Sequence, residues 1–324
     1  MKALALLSGG LDSMLAVKVI QEQGVEVIGL TFITPFFGPK NARKAAQTLG
    51  VKLVEHDFTD LYFEMLKKPR YGFGGNMNPC IDCHGLMLRT AHSHLEANGA
   101  SFIITGEVLG ERPMSQNRSG LNAVLKLAAD RDLILRPLSA KLLDPTKPER
   151  EGWVDREKLL DLSGRGRKPQ AELARHYGIK DYPQPAGGCL LTDVKFSQRL
   201  KELIAHEGLV RADIELLKIG RHFRLGDRTK LVIGRRHEEN ERLLEIKQAG
   251  DAVLRPPLDV KGPIGLLRGP AGDEVRKLAA RLFSRYCDGA AGQAMTANLY
   301  HSDQTRIEIA VTRPNEDEVE KWMI

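Results

Sequence analysis

An apolar run, Ala3-Leu4-Ala5-Leu6-Leu7, passes into Ser8-Gly9-Gly10-Leu11-Asp12-Ser13 and then into Met14-Leu15-Ala16-Val17-Lys18-Val19-Ile20. The run is continuous, not alternating, as in a parallel strand buried on both faces, and the residues after the turn read as helix. A glycine-rich turn between strand and helix commits the chain to an α/β layout. It also aims backbone N–H groups, reinforced by the helix dipole, at an anion. The two glycines let the backbone approach phosphate closely, and Ser8 and Ser13 add hydroxyl donors. Asp12 cannot face a phosphate without a counter-ion, so a bridging Mg²⁺ is its natural partner. No Gly-Lys-Ser/Thr follows, which excludes the Walker-type loop.

Strand and helix go on alternating to about residue 140. Val25–Phe32 reads as the second strand, 41–49 as a helix closed by Gly50, 52–56 as the third strand and 101–105 as another. Such alternation predicts a doubly wound parallel sheet, with ligands beyond the carboxyl ends of its strands. The Ser8–Ser13 loop, Thr31-Phe32 and Thr105-Gly106-Glu107 all fall at such ends. Residues 137–190 are broken by Pro137, Pro145, Pro148, Pro169, Pro183 and Pro185, and read as irregular with short helices, one over 168–177. From about 195 the pattern becomes α+β, with helices over 196–206, 238–247 and 274–287 and strands over 229–234, 252–255, 264–267 and 306–311. The expected division is a nucleotide-binding domain over 1–192, a linker or helix over 193–214, and a smaller basic α+β domain over 215–324. A chain of 324 residues, 42% hydrophobic, is long enough for two packed cores.

No apolar run is long enough to cross a membrane, and the opening residues read as strand instead of a basic-then-apolar signal, so the cytoplasm is expected. The net charge of +6 leans towards a polyanionic partner. Arg165, Arg167 and Lys168 sit in a glycine-containing segment, and Arg221, His222, Arg224, Arg228, Lys230, Arg235, Arg236 and His237 crowd a short stretch.

In a reducing compartment, clustered cysteines suggest metal or redox work. Asn78-Pro79-Cys80-Ile81-Asp82-Cys83 lets one turn aim two thiols at a single centre. Cys189 follows two glycines in Gly187-Gly188-Cys189. Three thiols on one iron–sulfur cluster, with an open iron site for sulfide, is one arrangement. A disulfide or persulfide between Cys189 and Cys80 or Cys83 is a second, and zinc with His84 as fourth ligand a third. Cys287 lies in an apolar helical pattern and reads as core. Glu107, Arg112, Ser115 and Gln116 follow a strand end and form either an active-site loop or a solvated connector. Lys141 is placed to touch a phosphate or to sit on the surface. His92 and His94 read as structural or exposed.

Ser-Gly-Gly-x-Asp-Ser resembles the pyrophosphatase loop of the N-type ATP pyrophosphatases, which adenylate a substrate oxygen and release pyrophosphate. The later Asn-Pro-Cys-x-x-Cys is similar to that of the tRNA 2-thiouridylases and related tRNA sulfurtransferases. This resemblance covers roughly residues 1–192. It implies an adenine nucleotide alpha hydrolase-like fold and ATP at Ser8, Gly9, Gly10, Asp12, Ser13, Thr31, Phe32 and Gly106, with Mg²⁺. It implies catalysis by Asp12, Cys80, Cys83 and Cys189, the three cysteines being ligands of a [4Fe–4S] cluster in cluster-containing relatives. The chain departs from the 2-thiouridylases at Cys83-His84-Gly85, where theirs gives Cys-Asn, and in its C-terminal module. Ile233-Gly234-Arg235-Arg236-His237-Glu238-Glu239-Asn240-Glu241 resembles the core of the NFACT-type RNA-binding domain, and from the basic stretch around it Lys230, Arg235 and Arg236 are expected to contact RNA phosphates. The expectation is an ATP-dependent tRNA sulfurtransferase, with tRNA and a sulfur donor as partners. A pyrophosphatase-loop ligase acting on a small molecule and an RNA-binding protein with a regulatory ATP site are the alternatives.

Overall fold

In the computed structural model the described residues are 1–183, 188–303 and 305–324. The expected 184–187 part of the Cys189 loop lies outside them. The chain divides into two compact units, Met1–Asp193 and Val194–Ile324.

The first unit runs β1 (Lys2–Leu6), α1 (Leu11–Gln21), β2 (Glu26–Ile33), α2 (Lys40–Leu49), β3 (Leu53–Asp57), α3 (Thr59–Lys67), α4 (Cys80–Ser93), β4 (Phe102–Ile104), α5 (Arg118–Leu127), β5 (Ile134–Leu135), α6 (Lys147–Arg150) and α7 (Lys168–His176). The strands form a five-stranded sheet in the order β3-β2-β1-β4-β5, every neighbouring pair parallel. The expected doubly wound sheet is therefore present. Its strand order reverses between β1 and β4, the point at which sheets of this kind take their ligands, beyond the strands' carboxyl ends. The Ser8–Ser13 loop follows β1 and Thr105-Gly106-Glu107 follows β4, so these two segments border that point. Leu4, Leu15, Ile20, Phe102 and Ile104 are fully buried around the sheet. Nearly every face of α1 is covered, which its continuous apolar sequence requires.

The second unit begins with α8 (Val194–His206) and α9 (Arg211–Leu217), so the segment expected as linker is helical and belongs to this unit. Then follow β6 (Arg221–Gly226), β7 (Thr229–Ile233), α10 (His237–Glu245), β8 (Ala252–Arg255), β9 (Gly265–Arg268), α11 (Asp273–Ser284), β10 (Ala294–Tyr300), β11 (Arg306–Thr312) and α12 (Glu316–Glu320). Its six strands lie in the order β11-β10-β8-β9-β7-β6, paired antiparallel. The apolar face of α11, with Ala279, Ala280, Leu282 and Phe283, is buried with Phe223, Leu231 and Leu254 of the sheet. Cys287 is buried in this core, and burial pushes its thiol up to about 12, so it is an inert packing residue. Among the described residues, no helix is long and apolar enough to cross a membrane.

Candidate active site

The loop after β1 is shaped by close contact on two sides. Gly9 has φ +81°, and a Cβ there would lie 2.2 Å from the Asn41 carbonyl carbon at the start of α2. A Cβ on Gly106 would lie 2.4 Å from the Ser13 nitrogen and 2.5 Å from the Asp12 carbonyl carbon. No side chain fits at either position, so both glycines are required by approach of one backbone to another. Ser13 Oγ donates to Gly10 O at 2.8 Å, and Gly10 N donates to Ser8 Oγ at 3.3 Å. The N–H groups of Leu11, Asp12 and Ser13 have no intrahelical acceptor, as at any helix start, and the site can offer them to an anion.

Asp12 is the charged centre of this region. Its Oδ2 accepts from Arg167 Nη2 at 3.1 Å, while Oδ1 is buried with no hydrogen bond of ordinary geometry; Gln170 makes only a looser contact. Burial raises the Asp12 carboxyl above its usual range, against the opposing pull of Arg167 and Arg112. Burial and the Asp12 charge likewise raise Glu111. A carboxylate with one oxygen short of a hydrogen bond of ordinary geometry, close enough to a second carboxylate to raise it, fits a divalent cation.

On the other side of Gly106, Glu107 is buried in a dense polar contact. It accepts from Arg136 Nε at 2.8 Å and from Thr105 Oγ1 at 3.2 Å, and lies 2.9 Å from His84 Nδ1. Burial would push Glu107 up, but Arg136 and His84 outweigh it and hold the carboxyl at about 2. An ionised carboxylate only accepts, so His84 Nδ1 carries the proton of this bond. His84 stands one helical turn after Cys80, on the same face of α4. The residues 105–107 thus press on the Asp12 loop through Gly106 and hold the cysteine helix through Glu107.

The cysteine segments are tied together by backbone and amide contacts. Asp82, buried between the two cysteines, accepts from the N–H groups of Arg70 (2.7 Å) and Tyr71 (2.9 Å). Asn78 Nδ2 donates to Cys80 Sγ at 3.2 Å. Asn76 Nδ2 donates to Thr192 O at 2.8 Å, and Leu190 N donates to Phe36 O at 3.1 Å, which fastens the Cys189 segment beside the other two. Burial pushes the Cys189 thiol up to about 11, with Cys80 adding to it, and pushes Cys83 higher still, with Cys189 and Cys80 adding. Tyr62 hydrogen-bonds Cys83. The three sulfurs are near enough to feel one another's charge. Among the described residues, however, no three His, Cys, Asp or Glu side chains form a group that could hold a metal ion.

The remaining expected residues divide. Thr31 and Phe32 are buried at the end of β2, and the Phe32 ring packs on Phe58 with centroids 4.6 Å apart. Lys141 is tied to the Glu157 carbonyl oxygen at 2.7 Å. His94 Nε2 lies 3.2 Å from His56 Nδ1. In the second unit the expectation for Lys230 is corrected. Every residue of β7 is buried, and Lys230 Nζ lies 2.6 Å from Glu202 Oε2, so it offers no cation to a phosphate. Arg235 is half exposed but locked bidentately on Glu239. Arg236 is exposed at the start of α10. Sequence reasoning missed Glu111 and Gln170 as neighbours of Asp12, and it read Arg167 only as part of a charged segment.

Residues 1–141 match the family model described as thiamine biosynthesis protein (ThiI), and residues 220–323 match that described as NFACT protein RNA binding domain. The chain thus joins a ThiI-family match to an NFACT RNA-binding match. Both resemblances read from the sequence are borne out, the second well beyond the nine residues that carried it. A tRNA-specific 2-thiouridylase MnmA of Pelobacter propionicus is 28% identical over 190 residues, 53% of this chain and 52% of the relative. The MnmA of Sulfurimonas denitrificans is 34% identical over 123 residues, 33% of this chain and 35% of the relative. A tRNA sulfurtransferase of Desulfurococcus amylolyticus is 26% identical over 235 residues, 67% of this chain and 41% of the relative. The chain therefore spans about half or less of the length of these curated relatives. Among solved structures, a 4-thiouridine synthetase–RNA complex with bound ATP overlaps 67% of this chain and 52% of that one, at 21% identity and a TM-score of 0.38.

Proposed function

We propose that the protein is an ATP-dependent tRNA thiolation enzyme of the cytoplasm that adenylates a base carbonyl oxygen, most simply of a uridine, and replaces it with sulfur. The observation that carries this reading is the tripeptide Thr105-Gly106-Glu107. It touches the Asp12 loop with its glycine and the cysteine helix with its glutamate. An ATP-cleaving loop and a sulfur-handling site need such a shared wall, because the adenylated carbon must meet sulfur before water does. ThiI and RNA-binding matches on one chain, and relatives named as tRNA sulfurtransferases, support the same reading.

The N–H groups at the start of α1, with Ser8 and Ser13, bind the β- and γ-phosphates and take up the charge of departing pyrophosphate. Asp12 and Glu111 fit Mg²⁺, which would supply charge neutralisation at the phosphates. Thr31 and Phe32 border the adenine. AMP is the leaving group when sulfur attacks the activated carbon, and the base is unstacked to reach the crevice. Arg236, with Arg235, contacts tRNA phosphates.

Cys80, Cys83 and Cys189 form the sulfur site, and a sulfide or persulfide donor feeds it. Three thiols are the donor type that holds a [4Fe–4S] cluster, and a cationic iron core would offset the burial that disfavours charge on Cys83 and Cys189, but as they stand the described side chains are not grouped for a metal ion. Such a cluster would supply an iron site that binds sulfide. Anaerobically purified protein, incubated with ATP, unmodified tRNA and radiolabelled sulfide, is expected to label the tRNA only when ATP is present. Unlabelled tRNA, with the protein holding iron, would overturn the proposal.

A further inference from the structure

Arg167 reaches Asp12 from the far end of the first unit's sequence. It follows Gly164-Arg165-Gly166 and stands immediately before α7. Gly164 N donates to Leu109 O at 2.7 Å, which lays this segment beside the loop after β4. Two residues into α7, Gln170 is 1% exposed, and its Oε1 has no hydrogen-bond partner among the described residues. The helix is therefore anchored, while the arginine before it sits on a glycine-flanked step with a quarter of its side chain exposed. Its guanidinium makes one contact with Asp12 at 3.1 Å, without the two-pronged geometry that arginine prefers with carboxylates and phosphates. The other Asp12 oxygen has no hydrogen bond of ordinary geometry, only the looser contact of Gln170.

Asp12 cannot serve a divalent cation fully while it neutralises Arg167. We infer that Arg167 is a partner-exchanging phosphate clamp: Asp12 holds it in the free protein, and it passes to the β- and γ-phosphate oxygens when a metal–nucleoside triphosphate enters. The inference rests on the ATP-loop reading given above. It assigns to the irregular segment before α7 a part in triphosphate recognition. No bond is made or broken in the exchange. Asp12 trades a guanidinium for the metal, and Arg167 trades a carboxylate for phosphate, so each charge ends beside a stronger partner.

The two halves of the exchange have opposite signs in one variant. Arg167→Gln in the full chain, titrated calorimetrically, is expected to bind Mg²⁺–pyrophosphate and Mg²⁺–ATP about 10-fold or more weakly, from loss of charge-assisted hydrogen bonds. AMP affinity is expected to stay unchanged. Mn²⁺ alone, without nucleotide, is expected to bind Arg167→Gln more tightly than wild type, because the competing cation is gone. Arg167→Lys falls between the two, and Arg165→Gln, at an exposed neighbour, moves none of these values. Loss of Mn²⁺ and pyrophosphate affinity together would mean a merely structural role and overturns the exchange. Unchanged pyrophosphate affinity overturns the clamp while leaving the ATP-loop reading intact. Wild-type protein that binds neither ATP nor pyrophosphate overturns both.

Discussion

The two units use their buried charges in opposite ways. In the second unit Arg268 is saturated. Its Nε and Nη2 bind Asp251, its Nη1 binds Asp213 at 2.7 Å, and Nη2 also reaches the Ile246 carbonyl oxygen. Arg224 is similarly enclosed by Glu202 and Glu207. These networks fasten α8 and α9 to the sheet. In the first unit Asp12 keeps one oxygen without a partner beside a second carboxylate, at the point where the sheet's strand order reverses. A charge whose hydrogen bonds are complete stabilises a fold; one left incomplete at a strand's carboxyl end is available for a ligand. Glu107 stands between these cases: complete in its bonds, it holds the cysteine helix through His84 while its neighbour Gly106 packs on the Asp12 loop.

Substitutions should separate these roles. Asp12→Asn is expected to lower pyrophosphate release by about a thousandfold, through loss of the metal-binding carboxylate, with stability by thermal melting within about 1 kcal/mol of wild type. Arg268→Ala is expected to do the reverse. It leaves the buried Asp251 and the part-buried Asp213 without their cation and costs about 3–5 kcal/mol of stability, while pyrophosphate release per folded molecule stays level. A large loss of release in Arg268→Ala would break the comparison.

Glu107 makes a pH-dependent prediction. Its folded value of about 2 lies below the ordinary 4.5, so its contribution is fully present above that ordinary value and is lost as pH falls towards 2. The difference in unfolding free energy between wild type and Glu107→Gln should shrink by about 3 kcal/mol across this window. A difference independent of pH would contradict the assigned ionisation. A smaller effect is expected at the proposed tRNA contact, where Arg236→Gln should reduce the salt slope of tRNA binding by about 1. Lys230→Gln should instead lower stability, because it opens the Glu202 pair inside the fold.

Much of the first unit was legible because its signals are local. The Ser8–Ser13 turn, its flanking apolar runs and the alternation to residue 140 each lie within a few turns of chain, and the sheet follows from them. Gly106 was legible as a strand-end residue, but not the reason it must be glycine, which is the backbone of Ser13. Arg167 and Asp12 are 155 residues apart, and nothing in either neighbourhood predicts their meeting. Strand β6 was hidden because Arg221, His222 and Arg224 read as a basic surface, although His222, Phe223 and Leu225 are buried. Lys230 was misread for the same reason: its partner, Glu202, comes from a helix that the sequence does not connect to it.

The central claim is that the Asp12 loop cleaves ATP in order to activate tRNA. Pyrophosphate release measured with and without unmodified tRNA tests it most directly. The account predicts release that rises strongly with tRNA in the wild type and is absent in Asp12→Asn under both conditions. Equal release with and without tRNA, or wild-type-like release from Asp12→Asn, would contradict it.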